Sequence, residues 1–368
     1  MIPLIDIRRQ TARIRGELDA AIGRVLDHGQ FILGPEVREL EERIAAYCGT
    51  RFGVACASGS DALMLPLMAL GSGPGDKVVT TPFTFFATAG SIAHLGAIPV
   101  FVDIDPATFN MDPKQLESAL DPNVKAIIPV HLFGQCADMA EINAIAARHA
   151  IPVIEDAAQA IGAEYGGKRA GGLAWCGSFS FFPTKNLGAC GDAGIVTTDD
   201  PGLAERLRML RVHGSKSQYS HSLAGVNSRL DTMQAAILLV KLGYLDQWTE
   251  QRRANAMAYR ERLAAAEVVL PADLSARHIY NQFTIRVKNR DEVKQRLAAA
   301  GIGSGIYYPI PLHLQECFKG LGYQAGDFPE SERAAKEVLS IPIEEGLTAA
   351  EISAVANELI ASTGKAKP

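Results

Sequence analysis

Three short stretches of the chain carry residue types that could share one reaction. Lys185 follows the apolar run Phe179-Ser-Phe-Phe, and Pro183 and Gly188 shape a loop around it. Asp156 follows Ile151-Pro-Val-Ile-Glu, at the carboxyl end of a buried strand. Ser58-Gly59-Ser60-Asp61 joins a strand to a helix, where free backbone N–H groups and the positive end of the helix dipole suit a phosphate. Each stretch alone has an ordinary explanation. Ser60 reads as an N-cap, Asp156-Ala-Ala-Gln159 as a capping box, and a lone loop lysine as a solvated one. Together they supply an amine, a carboxylate and an anion seat. Pyridoxal phosphate needs that set: a lysine for an imine, a carboxylate for its ring nitrogen and a helix N-terminus for its phosphate.

The elements that position these residues are legible as an alternation. Phe52-Gly-Val-Ala-Cys, Lys77-Val-Val-Thr, Ile98-Pro-Val-Phe, Lys125-Ala-Ile-Ile and Ile151-Pro-Val-Ile read as buried strands. Helical segments at 60–70, 87–95, 113–120 and 139–149 lie between them, which predicts a parallel sheet covered on both faces. Ligands of such sheets sit beyond the carboxyl ends of the strands. Residues 8–28 and 36–47 read as two leading helices. Residues 232–266 read as one long helix joining a large domain, 1–245, to a smaller C-terminal one, 246–368.

Composition excludes other classes. The 368 residues are 48% hydrophobic and 21% charged, with a net charge of −5, so nucleic acid is not an expected partner. Six cysteines without a C-x-x-C pair suit neither a metal site nor a disulfide framework, and point to a reducing cytoplasm. Gly71-Ser-Gly-Pro-Gly and Gly301-Ile-Gly-Ser-Gly miss the dinucleotide spacing and read as helix ends. The charge-free stretch 78–102 is broken by Pro82, Gly90 and Gly96, so membrane insertion is not expected.

Six ordered motifs carry a resemblance. They are Ser58-Gly-Ser-Asp-Ala-Leu63, Phe83-Thr-Phe-Phe-Ala-Thr88, Glu155-Asp-Ala-Ala-Gln159, Phe179-Ser-Phe-Phe-Pro-Thr-Lys-Asn-Leu-Gly188, Gly191-Asp192 and Gly225-Val-Asn-Ser-Arg-Leu-Asp-Thr-Met-Gln-Ala-Ala236. With Tyr308-Pro-Ile-Pro-Leu-His313, they make the chain resemble the sugar aminotransferases of the DegT/DnrJ/EryC1/StrS group from about Leu4 to Ile360. The resemblance implies an α/β chain of the aspartate-aminotransferase-like fold type I. A large domain with a mixed or parallel seven-stranded sheet would carry a smaller α+β domain. Lys185 would hold the cofactor as an imine and shuttle the proton, and Asp156 would pair with the ring nitrogen. Gln159 would lie close to the ring and Phe85 would stack on it. Gly59, Ser60, the Asp61 backbone and the Ser180 hydroxyl would hold the phosphate. Asn227 would reach that phosphate from a neighbouring subunit, implying an obligate homodimer.

The same resemblance implies amino transfer from an amino acid, L-glutamate in the family, to a ketone of a nucleotide-linked sugar. Asn227-Ser-Arg-Leu-Asp looks like members acting at carbon 3, closest to those making UDP-2-acetamido-3-amino-glucuronate for cell-surface polysaccharide such as O-antigen and lipopolysaccharide. Arg229 would then bind the sugar carboxylate, with Tyr307, Tyr308 and His313 near the substrate. Tyr307 departs from the His common in those relatives, which keeps a dTDP-3-oxo-6-deoxyhexose as the second substrate. A regulatory or binding member is the alternative of another class. No role is assigned to His131 or the remaining histidines.

Overall fold

In the computed structural model, which describes residues 1–363 apart from 218, 265, 275 and 276, the apolar runs form seven strands. They are β1 (Phe52–Cys56), β2 (Lys77–Thr80), β3 (Ile98–Phe101), β4 (Val124–Ile127), β5 (Ile154–Asp156), β6 (Cys176–Ser180) and β7 (Gly194–Thr198). One row pairs in the order β3-β2-β4 and a second in the order β1-β7-β6-β5. Parallel bridges from Ile127 to Val153 and from Val130 to Asp156 join the rows into a single mixed sheet.

One strand corrects the expected parallel sheet. β7 runs antiparallel to both β6 and β1. Its connection to β6 contains no helix, and a strand returned by a loop must run back beside its neighbour.

Strand residues alternate between two cores, as burial on both faces requires. Val54, Cys56, Val78, Ile154, Cys176 and Val196 pack against the helices Gly59–Ala69 and Pro201–Leu210. Ala55, Phe179 and Ile195 turn to the other side, under Pro35–Cys48 and Thr232–Leu242. The open edge at β1 is closed by a buried ion pair. Glu41 accepts from the Ala55 N–H at 2.9 Å, while Arg211 donates both to Glu41 and to the Ala55 carbonyl at 2.7 Å. The backbone groups that an edge strand exposes are thus occupied by side chains.

The two long helical readings each split. Residues 8–28 form Ile7–Arg13 and Arg15–His28, broken at Ile14. The connector forms Thr232–Leu242 and Leu245–Leu263. At the junction Gly243 and Tyr244 bond back to Val240 and Lys241 in a tighter turn that ends the first helix. Thr232–Leu242 covers the large sheet. Leu245–Leu263 contributes Ala256, Tyr259 and Leu263 to a separate core with the antiparallel pair Phe283–Arg286 and Val338–Ile341 and the closing helix Ala349–Thr363. We therefore keep a division near residue 245 as a proposal. The first residues cross it, because Ile2 pairs with Ile302 and accepts from the Gly303 N–H. Among the described residues, no helix is long and apolar enough to cross a membrane.

The edge pair yields a test of the fold. Arg211→Met leaves the Glu41 carboxylate buried without its cation, and is expected to cost about 3 kcal/mol in denaturant unfolding.

Candidate active site

β5 and β6 are parallel neighbours, so their carboxyl ends lie side by side and deliver Asp156 and the Lys185 loop to one end of the sheet. No helix follows Asp156, so the capping-box reading fails and its carboxylate is free for other work. Asp156 is only 5% exposed. Its Oδ2 accepts from the Thr88 hydroxyl at 2.7 Å and its Oδ1 from the Ala158 N–H at 3.2 Å. Burial raises its pKa above the ordinary carboxylate value, while Thr88, Ala158 and the Lys185 charge hold it back. Thr88 is itself 3.0 Å from the Thr84 hydroxyl.

Lys185 sits in the loop that closes behind β6. Its N–H bonds the Phe182 carbonyl at 2.9 Å, and Ala189 returns to the Phe181 carbonyl at 2.8 Å. The turn needs glycine at 188, where a Cβ would stand 2.4 Å from the Pro183 oxygen. The Lys185 amine makes no hydrogen bond or ion pair among the described residues. Burial pushes its pKa down to about 8, against the attraction of Asp156. An amine held without a partner beside a carboxylate is a nucleophile in waiting.

The anion seat differs from the sequence reading in one residue. Ser58, rather than Ser60, caps the helix Gly59–Ala69, its Oγ accepting from the Asp61 N–H at 3.1 Å. The Ser60 hydroxyl is left exposed at the helix head. Gly59 lies against Ser180, where a Cβ would come within 2.5 Å of the Ser180 Cβ. Gly59, Ser60, Asp61 and Ser180 are thereby brought together. The Asp61 carboxylate accepts from the Ser228 hydroxyl at 2.7 Å. Asn227, next to Ser228, is exposed.

Gln159 is buried, accepting from the Phe133 N–H at 2.7 Å and donating to the Tyr308 hydroxyl at 3.0 Å. It ties the Asp156 segment to the Tyr307–Tyr308 stretch. Phe85 is 56% exposed, with its ring centre 6.1 Å from that of Tyr308. Tyr307 and Arg229 are half-buried. His313 stands apart from this group. It is 1% exposed, 3.2 Å from Glu332 and edge-on to Phe328, in place of the expected site mouth.

The DegT/DnrJ/EryC1/StrS aminotransferase family matches residues 12–360. The chain belongs to this family. It is a pyridoxal-phosphate-dependent nucleotide-sugar aminotransferase. It is 54% identical to a pleiotropic regulatory protein of Geobacillus stearothermophilus, over 93% of either chain. It is 47% identical to the UDP-2-acetamido-2-deoxy-3-oxo-D-glucuronate aminotransferase of Pseudomonas aeruginosa, over 96% of this chain and 98% of that one. It is 44% identical to the dTDP-3-amino-3,4,6-trideoxy-alpha-D-glucose transaminase of Streptomyces venezuelae, over 93% and 91%. The crystal structure of S. venezuelae DesV superposes with a TM-score of 0.97 at 41% identity, covering 100% of this chain and 99% of that chain.

The residues present suit the cofactor. An unpartnered amine, a buried carboxylate with accepting capacity to spare and a helix head pressed against a serine match its aldehyde, ring nitrogen and phosphate. The aminotransferase also uses residues that sequence reading passed over. Thr88 holds Asp156, although only its place in a motif drew notice. Glu155 is fully buried and accepts from the N–H groups of Gly171, Leu173 and Ala174 at 2.7, 2.8 and 3.0 Å. His131 accepts from the Ala137 N–H through Nδ1, so its Nε2–H donates to Glu155 at 3.0 Å. The His131 N–H also bonds the Asp156 carbonyl at 2.9 Å.

Two outcomes follow from this geometry. Because only the neutral amine attacks an aldehyde, the rate at which apoenzyme and pyridoxal phosphate form the yellow chromophore should climb with pH. It should level off above about 8 instead of near an ordinary lysine's 10.5. Thr88→Val removes a hydrogen bond to a carboxylate, worth about 1.5 kcal/mol, and should slow amine uptake from the donor about tenfold in single-turnover absorbance traces.

Proposed function

We propose that this aminotransferase moves an amino group from L-glutamate to carbon 3 of UDP-2-acetamido-2-deoxy-3-oxo-D-glucuronate. When bound, the cofactor would supply a carrier for the amine and a sink for the electrons left when a carbon-bound proton departs. The residues divide the remaining work. Lys185, with its pKa near 8, accepts and returns that proton at Nζ near neutral pH. Asp156 would accept a hydrogen bond from the ring nitrogen, and the Thr88 hydroxyl favours its ionised form against the effect of burial. The amides at the head of Gly59–Ala69, with the Ser60 and Ser180 hydroxyls, hold the phosphate. Phe85 would stack on the ring, and Gln159 sets the position of Tyr308.

The observation that carries the uronate reading is Arg229. Its guanidinium is half-buried, its Nε is buried without an acceptor, and it makes no ion pair among the described residues. An idle guanidinium of this kind is suited to a carboxylate, which it can bind through two parallel N–H groups. The Pseudomonas relative named above acts on a uronate and is more similar than the dTDP-sugar transaminase. The second substrate is a dTDP-3-oxo-6-deoxyhexose, favoured by the ring of Tyr307, which packs with Ile306 and Phe83 at the small-domain side of the site. A purely binding role, suggested by the name of the Geobacillus relative, has no use for the free Lys185 amine.

Asn227, exposed and with no side-chain partner among the described residues, suits a contact from a second copy, and we assign the enzyme as a homodimer with shared sites. Six free cysteines are consistent with the cytoplasm. An aminated, nucleotide-activated uronate is a building block for cell-surface polysaccharide, O-antigen or lipopolysaccharide.

Steady-state assays with both oxo sugars decide the substrate. Arg229→Met should lower kcat/KM for the uronate about 30-fold, the cost of a charge-assisted hydrogen bond of about 2 kcal/mol, and leave the deoxyhexose within about threefold. Equal losses on both sugars, or faster wild-type turnover of the dTDP sugar, would overturn the assignment.

A further inference from the structure

We infer that Lys241 is a positioning residue for Lys185, its buried amine fixing the far end of the loop that presents Lys185 to the cofactor. Lys241 lies in the helix Thr232–Leu242 and is 0% exposed. Its Nζ donates to the Gly188 carbonyl at 2.6 Å. No carboxylate pairs with it directly. The Cys190 sulfur and, more weakly, the Glu345 carboxylate are the groups whose fields reach it, and that carboxylate is engaged by Arg252 at 3.2 Å. Burying a cation without a paired anion is costly, and an apolar chain of the same length would fill the space at less cost. Among the described residues, the one hydrogen bond that its Nζ makes is the one to Gly188.

Gly188 is where such a bond has most leverage. The loop folds onto itself there, against Pro183, so holding the Gly188 carbonyl fixes both ends of the segment around Lys185. The same helix grips the loop a second time. Gln234 accepts from the Cys190 N–H at 2.9 Å, and Gln234 and Lys241 stand in an i, i+7 relation on one helix face. A third tie comes from the small-domain side. Asn281 donates to the Asn186 Oδ1 at 2.7 Å, and Asn186 donates to the Ile279 carbonyl at 3.1 Å. The residues on both sides of Lys185 are therefore clamped while its amine is left without a partner. That combination aims a nucleophile.

The inference rests on Lys185 being the cofactor lysine, which borohydride reduction and peptide mapping of the wild-type holoenzyme establish separately. A label on another lysine sinks that reading; a label on Lys185 leaves the role of Lys241 to the variants. Lys241→Met apoenzyme is expected to melt within a few degrees of wild type, while chromophore formation with pyridoxal phosphate slows about tenfold, the loss of one hydrogen bond at a buried site. Lys241→Gln restores an N–H donor and should recover to within about threefold of wild type, a rescue that space-filling alone does not give. Chromophore formation at the wild-type rate in Lys241→Met overturns the inference. Should that variant not fold, Gln234→Leu decides it: slower chromophore formation in Gln234→Leu supports the clamp, and the wild-type rate removes it.

Discussion

A buried carboxylate and a half-buried amine stand at the end of one strand and in the loop beyond its neighbour. Burial works on them in opposite directions, raising the pKa of Asp156 and lowering that of Lys185, while their attraction opposes both shifts. Left to burial alone, both would lose their charge and the site its polarity. The surrounding hydrogen bonds set the balance differently for each. Asp156 receives donors from Thr88 and Ala158, which favour the ionised form, whereas Lys185 receives no acceptor and is kept near the point of deprotonation. The donors favour the charged form of one group, and the missing acceptor favours the reactive form of the other.

Much of the nearby structure serves that asymmetry. Thr84 stands behind Thr88. Glu155, one residue before Asp156, collects three backbone N–H groups and the His131 ring. A buried carboxylate with four donors is satisfied, and it fixes the strand end from the opposite face. Successive residues of β5 thus point to opposite sides of the sheet, one gathering structure and the other facing chemistry. Gln159 extends the arrangement to Tyr308, so the small-domain side contacts the cofactor segment through a defined hydrogen bond.

What the sequence makes legible follows from how narrow the chemical demand is. Lys185, Asp156 and the Ser58–Asp61 turn are recognisable because an imine-forming amine, a ring-nitrogen carboxylate and a helix head admit few substitutes. Thr88, Glu155 and His131 escaped because their roles depend on contacts between segments far apart in the chain, and a threonine or histidine in an apolar stretch has many ordinary uses. The reversal of β7 was hidden for a related reason: strand runs look alike in either direction, and only the absence of a helix before Gly194 hinted at it. The break at Gly243 lies within an unbroken apolar periodicity, which continues across a tightened turn. His313 was placed at the site by its motif, yet its Nε2 meets Glu332 and its ring packs edge-on against Phe328.

The reversed strand has a structural corollary. Since β6 and β7 are joined as a hairpin, the connection bearing Lys185 starts and finishes on the same edge-to-edge ladder, sealed by Phe181 N–H to the Ala193 carbonyl at its mouth. A crossover linking parallel strands can absorb extra residues along its span; this one is tied at Gly188, Ala189 and Cys190, so a residue inserted between Phe182 and Gly188 shifts Lys185 against those bonds. A change of length in this hairpin is therefore felt at the amine, whatever the acceptor.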